Sequence, residues 1–389
     1  MKKMNKSDIV IVGGGITGLA MAYNLANKGE NVIVVEKSYC GSGSTFRCAS
    51  GIRQQFGDEA NIKMMKRSID IWKNLSEQLE YDIDFIQDGY LFLLYDEKEI
   101  SDYKKYVSLQ NQHGVHSKII DAKEVKDIVP IIDMHDLKAA SWNDTDGKAN
   151  PFKTVMGYKN KLKEMDVEIL EYTKVTDIVL ENNKGDKREI KEVITDKGGI
   201  KTGIVVNCTN AWARELNSKI GIDLPILPYK HQCMKTEPFK YGQIRPMVVS
   251  FKHGGVYFTQ EGNQGGIIGG YGLKYGPTMD IVPTYEFLKG VSSRISQIIP
   301  SMKYAAVIRT WAGYYAETPD GNPLVGKIEG VNDYYIAGGF SGHGFMLAPA
   351  IAEALLQEIR TGKTSLPLDF YDPGRFSKGE IRHKSIQMG

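Results

Sequence analysis

Three glycines and one acid define the first chemistry this sequence can support. Gly13, Gly15 and Gly18 follow directly on the apolar run Ile9–Val12, and Glu36 closes a second apolar run, Val32–Val35, 23 positions after the first glycine. That is the order of a strand, a glycine turn, a helix and a second strand, the unit that cradles a dinucleotide. Gly13 permits a tight turn, Gly15 lets backbone approach a pyrophosphate, and Gly18 lets the helix lie close to the sheet. The phosphates would face Ile16 and Thr17 at the helix start, where free N–H groups and the helix dipole favour negative charge. Glu36 is placed to take the hydroxyls of a ribose.

A second glycine cluster, Gly338-Gly339-Phe340-Ser341-Gly342-His343-Gly344-Phe345-Met346, lies between the strand-like Tyr334–Ala337 and a helical run to Arg360. A helix starting there points N–H groups and its positive end at whatever carries negative charge. A reduced isoalloxazine carries such charge at its N1/C2-carbonyl edge, so a flavin gains from this arrangement. An NAD enzyme needs only one fingerprint; two cradles far apart in the chain favour FAD.

Other elements must hold these two cradles together. Helical periodicity runs over 58–79, 98–113, 122–129 and onward from Pro151, and again over 284–299. Tyr90–Tyr95 reads as a buried strand, the stretch 227–272 as an antiparallel sheet, and Ile204–Cys208 as a short strand able to rejoin the first sheet. No repeat or low-complexity linker separates two halves, so two domains must interleave. The expected division is 1–90, 150–220 and 320–389 for the nucleotide, with 91–149 and 221–319 for the substrate. The fold class is α/β.

Composition narrows the function. The 389 residues carry 49 basic and 47 acidic side chains, a net charge of +2, so no bulk attraction to nucleic acid or a membrane surface is implied. No apolar run is long enough to span a bilayer, and the polar Met1–Asp8 gives no sign of a secretory leader. Cys40, Cys48, Cys208 and Cys233 show no CxxC spacing, which argues against a structural metal site or a disulfide framework and fits a reducing cytoplasm.

Together, Gly13–Gly18 with Glu36-Lys37, the Gly41–Thr45 loop, Thr209-Asn210-Ala211-Trp212, Thr318-Pro319-Asp320 and Gly339–Phe345 resemble the D-amino-acid oxidase/sarcosine oxidase (DAO) family of FAD enzymes. Within it, Gly41–Cys48, Gly51–Phe56, Gly89–Tyr95, Arg309–Tyr315 and Tyr371-Asp372-Pro373 are most similar to the β (FAD) subunits of archaeal dye-linked L-proline dehydrogenases. The resemblance implies a Rossmann-like FAD-binding domain interleaved with an antiparallel-sheet substrate domain, the amino-acid oxidase/glutathione-reductase-type fold. It implies oxidation of L-proline to 1-pyrroline-5-carboxylate, with sarcosine, glycine or another small amino acid as the alternative. It further implies an α-type partner subunit in a hetero-oligomer, with room for an FMN at the interface between subunits.

Carried over position by position, Gly13, Gly15 and Gly18 hold the pyrophosphate, Glu36 the ribose, and Lys37 lies near the adenine. Ser44 and Thr45 contact phosphate or ribitol, Val175 lays backbone against adenine, and Thr209 and Trp212 close over the dinucleotide. Ile52, Gly313 and Gly339 join the cofactor set, and Gly342, His343, Gly344, Phe345 and Met346 meet the pyrimidine edge of the flavin. Arg53 matches the arginine that grips the substrate carboxylate, a task suited to a bidentate guanidinium. Tyr257 could donate its hydroxyl to the same carboxylate, and His231, Trp311 and His343 complete the pocket candidates.

Two positions depart from the pattern. Met346 stands where monomeric sarcosine oxidases carry a lysine, and no cysteine lies between Thr310 and Pro319 where those oxidases attach their flavin. Non-covalent FAD and a dehydrogenase are therefore expected in place of a covalent oxidase. Plainer readings remain at this stage: Arg53 as a structural ion-pair partner, Tyr257 as sheet packing, His231 as a satisfied core histidine, or the whole chain as a subunit binding FAD without catalysis.

Overall fold

The structure is a computed structural model in which residues 5–182, 188–262 and 265–382 are described. A six-stranded sheet runs in the order Leu324–Lys327, Tyr334–Gly338, Ile204–Asn207, Ile9–Val12, Val32–Val35 and Glu168–Leu170. Neighbours are parallel except the first pair. Ile9–Val12 and Val32–Val35 are buried along their whole length, which is why they read as continuous apolar runs instead of alternating ones. Ile9 and Ile11 face a core built with helices Ile16–Ala26, Glu59–Gln78, Pro151–Glu164 and Gly344–Thr361. Val10 and Val12 face the opposite core, closed by the small sheet that includes Ile178, Ile190, Val193 and Ile200.

The second large sheet has eight strands, in the order Val307–Glu317, Leu227–Thr236, Ile267–Tyr271, Val256–Gln260, Met247–Ser250, Tyr90–Leu94, Ala139–Asn143 and Lys118–Asp121. The expectation of an antiparallel sheet holds except at one pair: Met247–Ser250 runs parallel to Tyr90–Leu94. A tight turn forces antiparallel pairing, whereas these strands are joined by a long crossover that leaves direction free. Helix Tyr285–Ile298 covers one face of the sheet through Phe287, Val291 and Ile295. The other face presents Tyr90, Cys233, Met247 and Tyr257 toward the first sheet.

Candidate active site

A cleft of about 470 Å³ opens beyond the carboxyl ends of the parallel strands and extends to the eight-stranded sheet. Open α/β sheets place ligands at this position because strand ends and helix starts meet there. Gly13, Gly15, Ile16, Thr17, Glu36, Lys37, Ser44, Thr45, Val175, Thr209 and Trp212 all line it. So do Gly313, Gly342, Gly344, Phe345 and Met346, together with His231 and Tyr257.

The glycine turn is built as its spacing demands. Gly13 has φ +111°, and a Cβ there would lie 2.7 Å from the Cys208 carbonyl oxygen. Glu36 first secures the turn: its carboxylate accepts from the Gly14 N–H at 2.8 Å and the Ser38 N–H at 2.9 Å. Each oxygen keeps further acceptor capacity for a ribose hydroxyl. The Ile16 N–H donates to Thr45 Oγ1 at 3.2 Å, and Ser44 Oγ donates to the Tyr314 carbonyl at 2.9 Å, so the Gly41–Thr45 loop is tied to both sheets. Lys37 holds its ammonium 3.4 Å above the Trp212 ring, with its pKa lowered by burial against the opposing pull of Glu36.

The sheet supplies the opposite wall. His231 Nε2 lies 3.1 Å from the Tyr257 hydroxyl, which also lies 3.4 Å from Cys233 Sγ. The His231 ring stacks on Tyr315 at 4.0 Å with 6° between planes. Burial pushes His231 down to about 4, Cys233 up to about 11 and Cys48 up to about 12, and holds the Tyr257 phenol well above its usual value. At neutral pH these groups are all uncharged.

Several expected residues do not reach the cleft. Gly18 is buried, and a Cβ on it would lie 1.9 Å from the Gly13 carbonyl oxygen, so it serves helix–strand packing. Ile52 is buried in a short pairing with Gly147. Gly339 supports the loop from behind, where a Cβ would lie 2.6 Å from Thr318 Cγ2. Trp311 faces a second cavity of about 780 Å³, which shares Tyr39, Arg47, Cys48, Ser50 and Ile281 with the cleft. Its indole N–H donates to the Arg47 carbonyl at 3.0 Å.

Arg53 and His343 both lie outside the cleft lining and meet each other. Arg53 has no solvent exposure and does not line the cleft; its guanidinium lies 4.0 Å from the Phe56 ring centre and donates to the Gln55 carbonyl. Its Nη2 is 3.1 Å from His343 Nε2. A guanidinium can only donate, so His343 Nε2 accepts and the imidazole proton sits on Nδ1. Burial, reinforced by the Arg53 charge, pushes His343 down to about 3. In this conformation Arg53 stands behind the cleft wall, and His343 is a neutral link between them.

Arg47 and Tyr315 had no role assigned from the sequence and both line the cleft. Arg47 is the only arginine among the described residues that do so; its Nη1 donates to the Ser42 carbonyl and to the Gly43 carbonyl, the latter at 3.0 Å. Tyr315 was legible in principle. It lies two residues after Gly313 on one strand, hence on the same face, and Gly313 pairs with His231 in register.

Residues 8–358 match the family described as DAO, FAD dependent oxidoreductase. The chain belongs to this family. The structure of L-proline dehydrogenase from P. horikoshii superposes with a TM-score of 0.94 at 54% identity, over 98% of this chain and 100% of that one. Dimethylglycine dehydrogenase of Mus musculus, a mitochondrial protein, is 27% identical over 96% of this chain but only 44% of its own length. The chain thus spans less than half the length of that curated relative. Sarcosine oxidase subunit beta of Arthrobacter sp is 29% identical over 89% of this chain and 87% of that one. Glycine oxidase from Geobacillus kaustophilus, at 21% identity and a TM-score of 0.85, shares the fold.

The residues fit the family's cofactor on their own terms. Gly13 and Gly342 both adopt positive φ, +111° and +90°, where a side chain would strike the Cys208 backbone or the Tyr315 ring. Two helix starts, at Ile16 and Gly344, face the same cleft, one suited to the pyrophosphate and the other to the electron-rich edge of the flavin. Gly13, Gly15, Glu36, Thr45, Gly342 and Met346 would hold FAD in this FAD-dependent oxidoreductase. No described helix is long and apolar enough to cross a membrane.

Proposed function

We propose that this chain is an amino-acid dehydrogenase that oxidises L-proline to 1-pyrroline-5-carboxylate and passes the electrons to an α-type subunit, or to an artificial dye in its place. The observation that carries this reading is the 54% identity to an L-proline dehydrogenase over 98% of the chain. Residues 1–90, 150–220 and 320–389 form the FAD-binding part in this reading, and 91–149 and 221–319 the substrate part. The enzyme works in the cytoplasm as part of a hetero-oligomer; its four cysteines are free thiols, which suits that compartment. An FMN at the subunit interface belongs to the same proposal.

Bound FAD supplies the acceptor for a hydride equivalent from the carbon beside the amine. The chain supplies the chamber. Tyr257 keeps its proton and can donate to a carboxylate, and Arg47 offers the cleft's guanidinium. His231, Cys233 and Tyr315 give an uncharged wall that favours a neutral amine over an ammonium. The relation to sarcosine oxidase subunit beta supports sarcosine or glycine as the alternative substrate.

The deciding experiment is anaerobic titration of the purified flavoprotein with L-proline, sarcosine and glycine while following the visible flavin band. Bleaching by L-proline at the lowest concentration supports the assignment, and preferential bleaching by sarcosine or glycine replaces it. A pH dependence follows as well. His231 is already neutral above about 4, and the Cys233 and Cys48 thiols keep their protons to about 11 and 12. The substrate amine, an alkylammonium that ionises at ~10, titrates between these limits. Flavin reduction at fixed L-proline should therefore accelerate from neutral to alkaline pH, and a profile indifferent to the basicity of the amine would contradict this.

A further inference from the structure

The face that the eight-stranded sheet turns to the cleft has two unlike halves. In the first, Gly270 pairs with Cys233 on one side and Tyr257 on the other. A Cβ there would lie 2.6 Å from the Tyr257 hydroxyl. Because Gly270 has no side chain, the phenol reaches across its strand to His231 and Cys233, at 3.1 and 3.4 Å. The hydrogen-bonding end of the chamber is thereby drawn toward one edge of the sheet.

The second half lies beyond it. Met247 and Tyr90 stand level with each other in a parallel pair, and both line the cleft although each is almost wholly buried. A Cβ on Gly51, which also lines the cleft, would strike the Tyr90 hydroxyl and lie 3.3 Å from Met247 Cε. Gly51 thus lets both side chains close this end. The Met247 N–H donates to the Gly89 carbonyl at 3.1 Å, so its backbone is fixed and only the unbranched thioether chain sets how far the wall reaches. The strand of Met247 is two places from that of Gly270, roughly 10 Å at the usual strand spacing. With a hydrogen bond at one end and van der Waals contact at the other, that span admits a short, compact molecule.

We propose that Met247, backed by Tyr90, is the specificity-determining wall of the substrate chamber. The carboxylate end of the substrate lies toward Tyr257, its hydrocarbon packs against the Met247 thioether, and the reach of that side chain sets the ring size admitted. The inference rests on the reading of this chain as an L-proline dehydrogenase.

The test is anaerobic flavin reduction by L-azetidine-2-carboxylate, L-proline and L-pipecolate, which carry four-, five- and six-membered rings. It compares the wild type with M247A, M247F and M247L, each first checked for visible flavin content. An apolar wall separates neighbours in such a series by about 10-fold or more per methylene. M247A should therefore shift the ratio of reduction efficiencies about tenfold toward L-pipecolate over L-proline. M247F should shift it toward L-azetidine-2-carboxylate, and M247L, close in volume, should stay near the wild type. Two ring carboxylates without the amine, tetrahydrofuran-2-carboxylate and tetrahydropyran-2-carboxylate, should perturb the flavin spectrum of M247A with the same swing toward the larger ring.

Unchanged ratios in M247A and M247F would overturn the proposal, and so would equal losses for all three amines, which mark general damage. Should M247A fail to retain flavin, M247F decides alone: a relative gain for the smaller ring supports the inference, and an unchanged ratio ends it. A wild type reduced by sarcosine and by none of the rings would remove the L-proline reading. The wall is then judged in the same variants by sarcosine against N-ethylglycine, where a swing toward the longer amine in M247A upholds it and no swing ends it.

Discussion

A single methyl group at Gly18 is expected to yield a colourless, less stable protein. In Gly18→Ala the new Cβ would lie 1.9 Å from the Gly13 carbonyl oxygen and 3.1 Å from its carbon. Both contacts are backbone, so no side chain can swing aside. Helix Ile16–Ala26 must back away from the sheet, and it is locked by the buried Leu19, Met21 and Leu25. Overpacking of this kind costs about 1–3 kcal/mol, sometimes more. The larger effect is on the cofactor, because the retreating helix carries the Gly15–Thr17 backbone away from the pyrophosphate. The check is the ratio of visible flavin absorbance to protein, with thermal unfolding alongside. Gly29→Ala is the control: it strains a φ of +80° but meets nothing within 4 Å, so its flavin content should be normal. A yellow Gly18→Ala protein with wild-type stability would refute the packing account.

The second large effect concerns the ion pair Asp320–Arg375, whose side chains are both fully out of solvent. Arg375 donates from Nε and Nη2 to Asp320 at 2.9 and 2.8 Å, and to the carbonyls of Pro323, Asn322 and Asp372 at 2.9, 2.7 and 3.3 Å. Arg375→Met leaves a buried carboxylate facing an apolar chain and should cost about 3–5 kcal/mol. Asp320→Asn combined with Arg375→Met should be less damaging than the two single losses added together, since neither charge is then stranded. Denaturant unfolding of the four proteins measures this directly. Burial alone would raise the Asp320 pKa, but the Arg375 hydrogen bonds prevail and hold it below its usual value. The pair's contribution is therefore complete above the ordinary carboxylate range and fades only as pH drops through that lowered value. The acid-induced loss of stability that protonation of Asp320 contributes should be absent from the double variant, which has no carboxylate there.

What the sequence disclosed and what it hid separate along physical lines. Buried parallel strands announce themselves as runs such as Ile9–Val12, and glycines at fixed spacing announce a close backbone approach, because both follow from local geometry. The position of Glu36 at the cleft was legible for that reason, whereas those of Lys37, Thr45, Val175, Thr209 and Trp212 came from the resemblance to the family. The full burial of Arg53 was not legible, because its depth is decided by His343, 290 residues away, and by aromatic neighbours that no motif specifies. Trp311 shares the strand face of Gly313 and Tyr315 but lies farther along the strand, beside the second cavity, a distance that alternation alone does not give. Arg47 belongs to no spacing rule; its approach to the cleft depends on Gly313, where a Cβ would lie 2.8 Å from the Arg47 Cβ.

The order of strands in the nucleotide-binding sheet also governs how the protein comes into being. Ile204–Asn207 sits between Ile9–Val12 and Tyr334–Gly338, so the sheet joins segments made at the beginning, middle and end of synthesis. A ribosome that has released the first two hundred or so residues has produced the pyrophosphate turn and the Val32–Val35 strand on one side of it, but neither the Ile204–Asn207 strand on the other side nor the helix from Gly344. The nascent chain must then carry exposed apolar strands until nearly the whole protein has emerged, the condition under which long-range pairing is slow and aggregation competes. The flavin cleft is thus complete only once the C-terminal segment has joined the sheet, and bound cofactor then favours the native state by mass action.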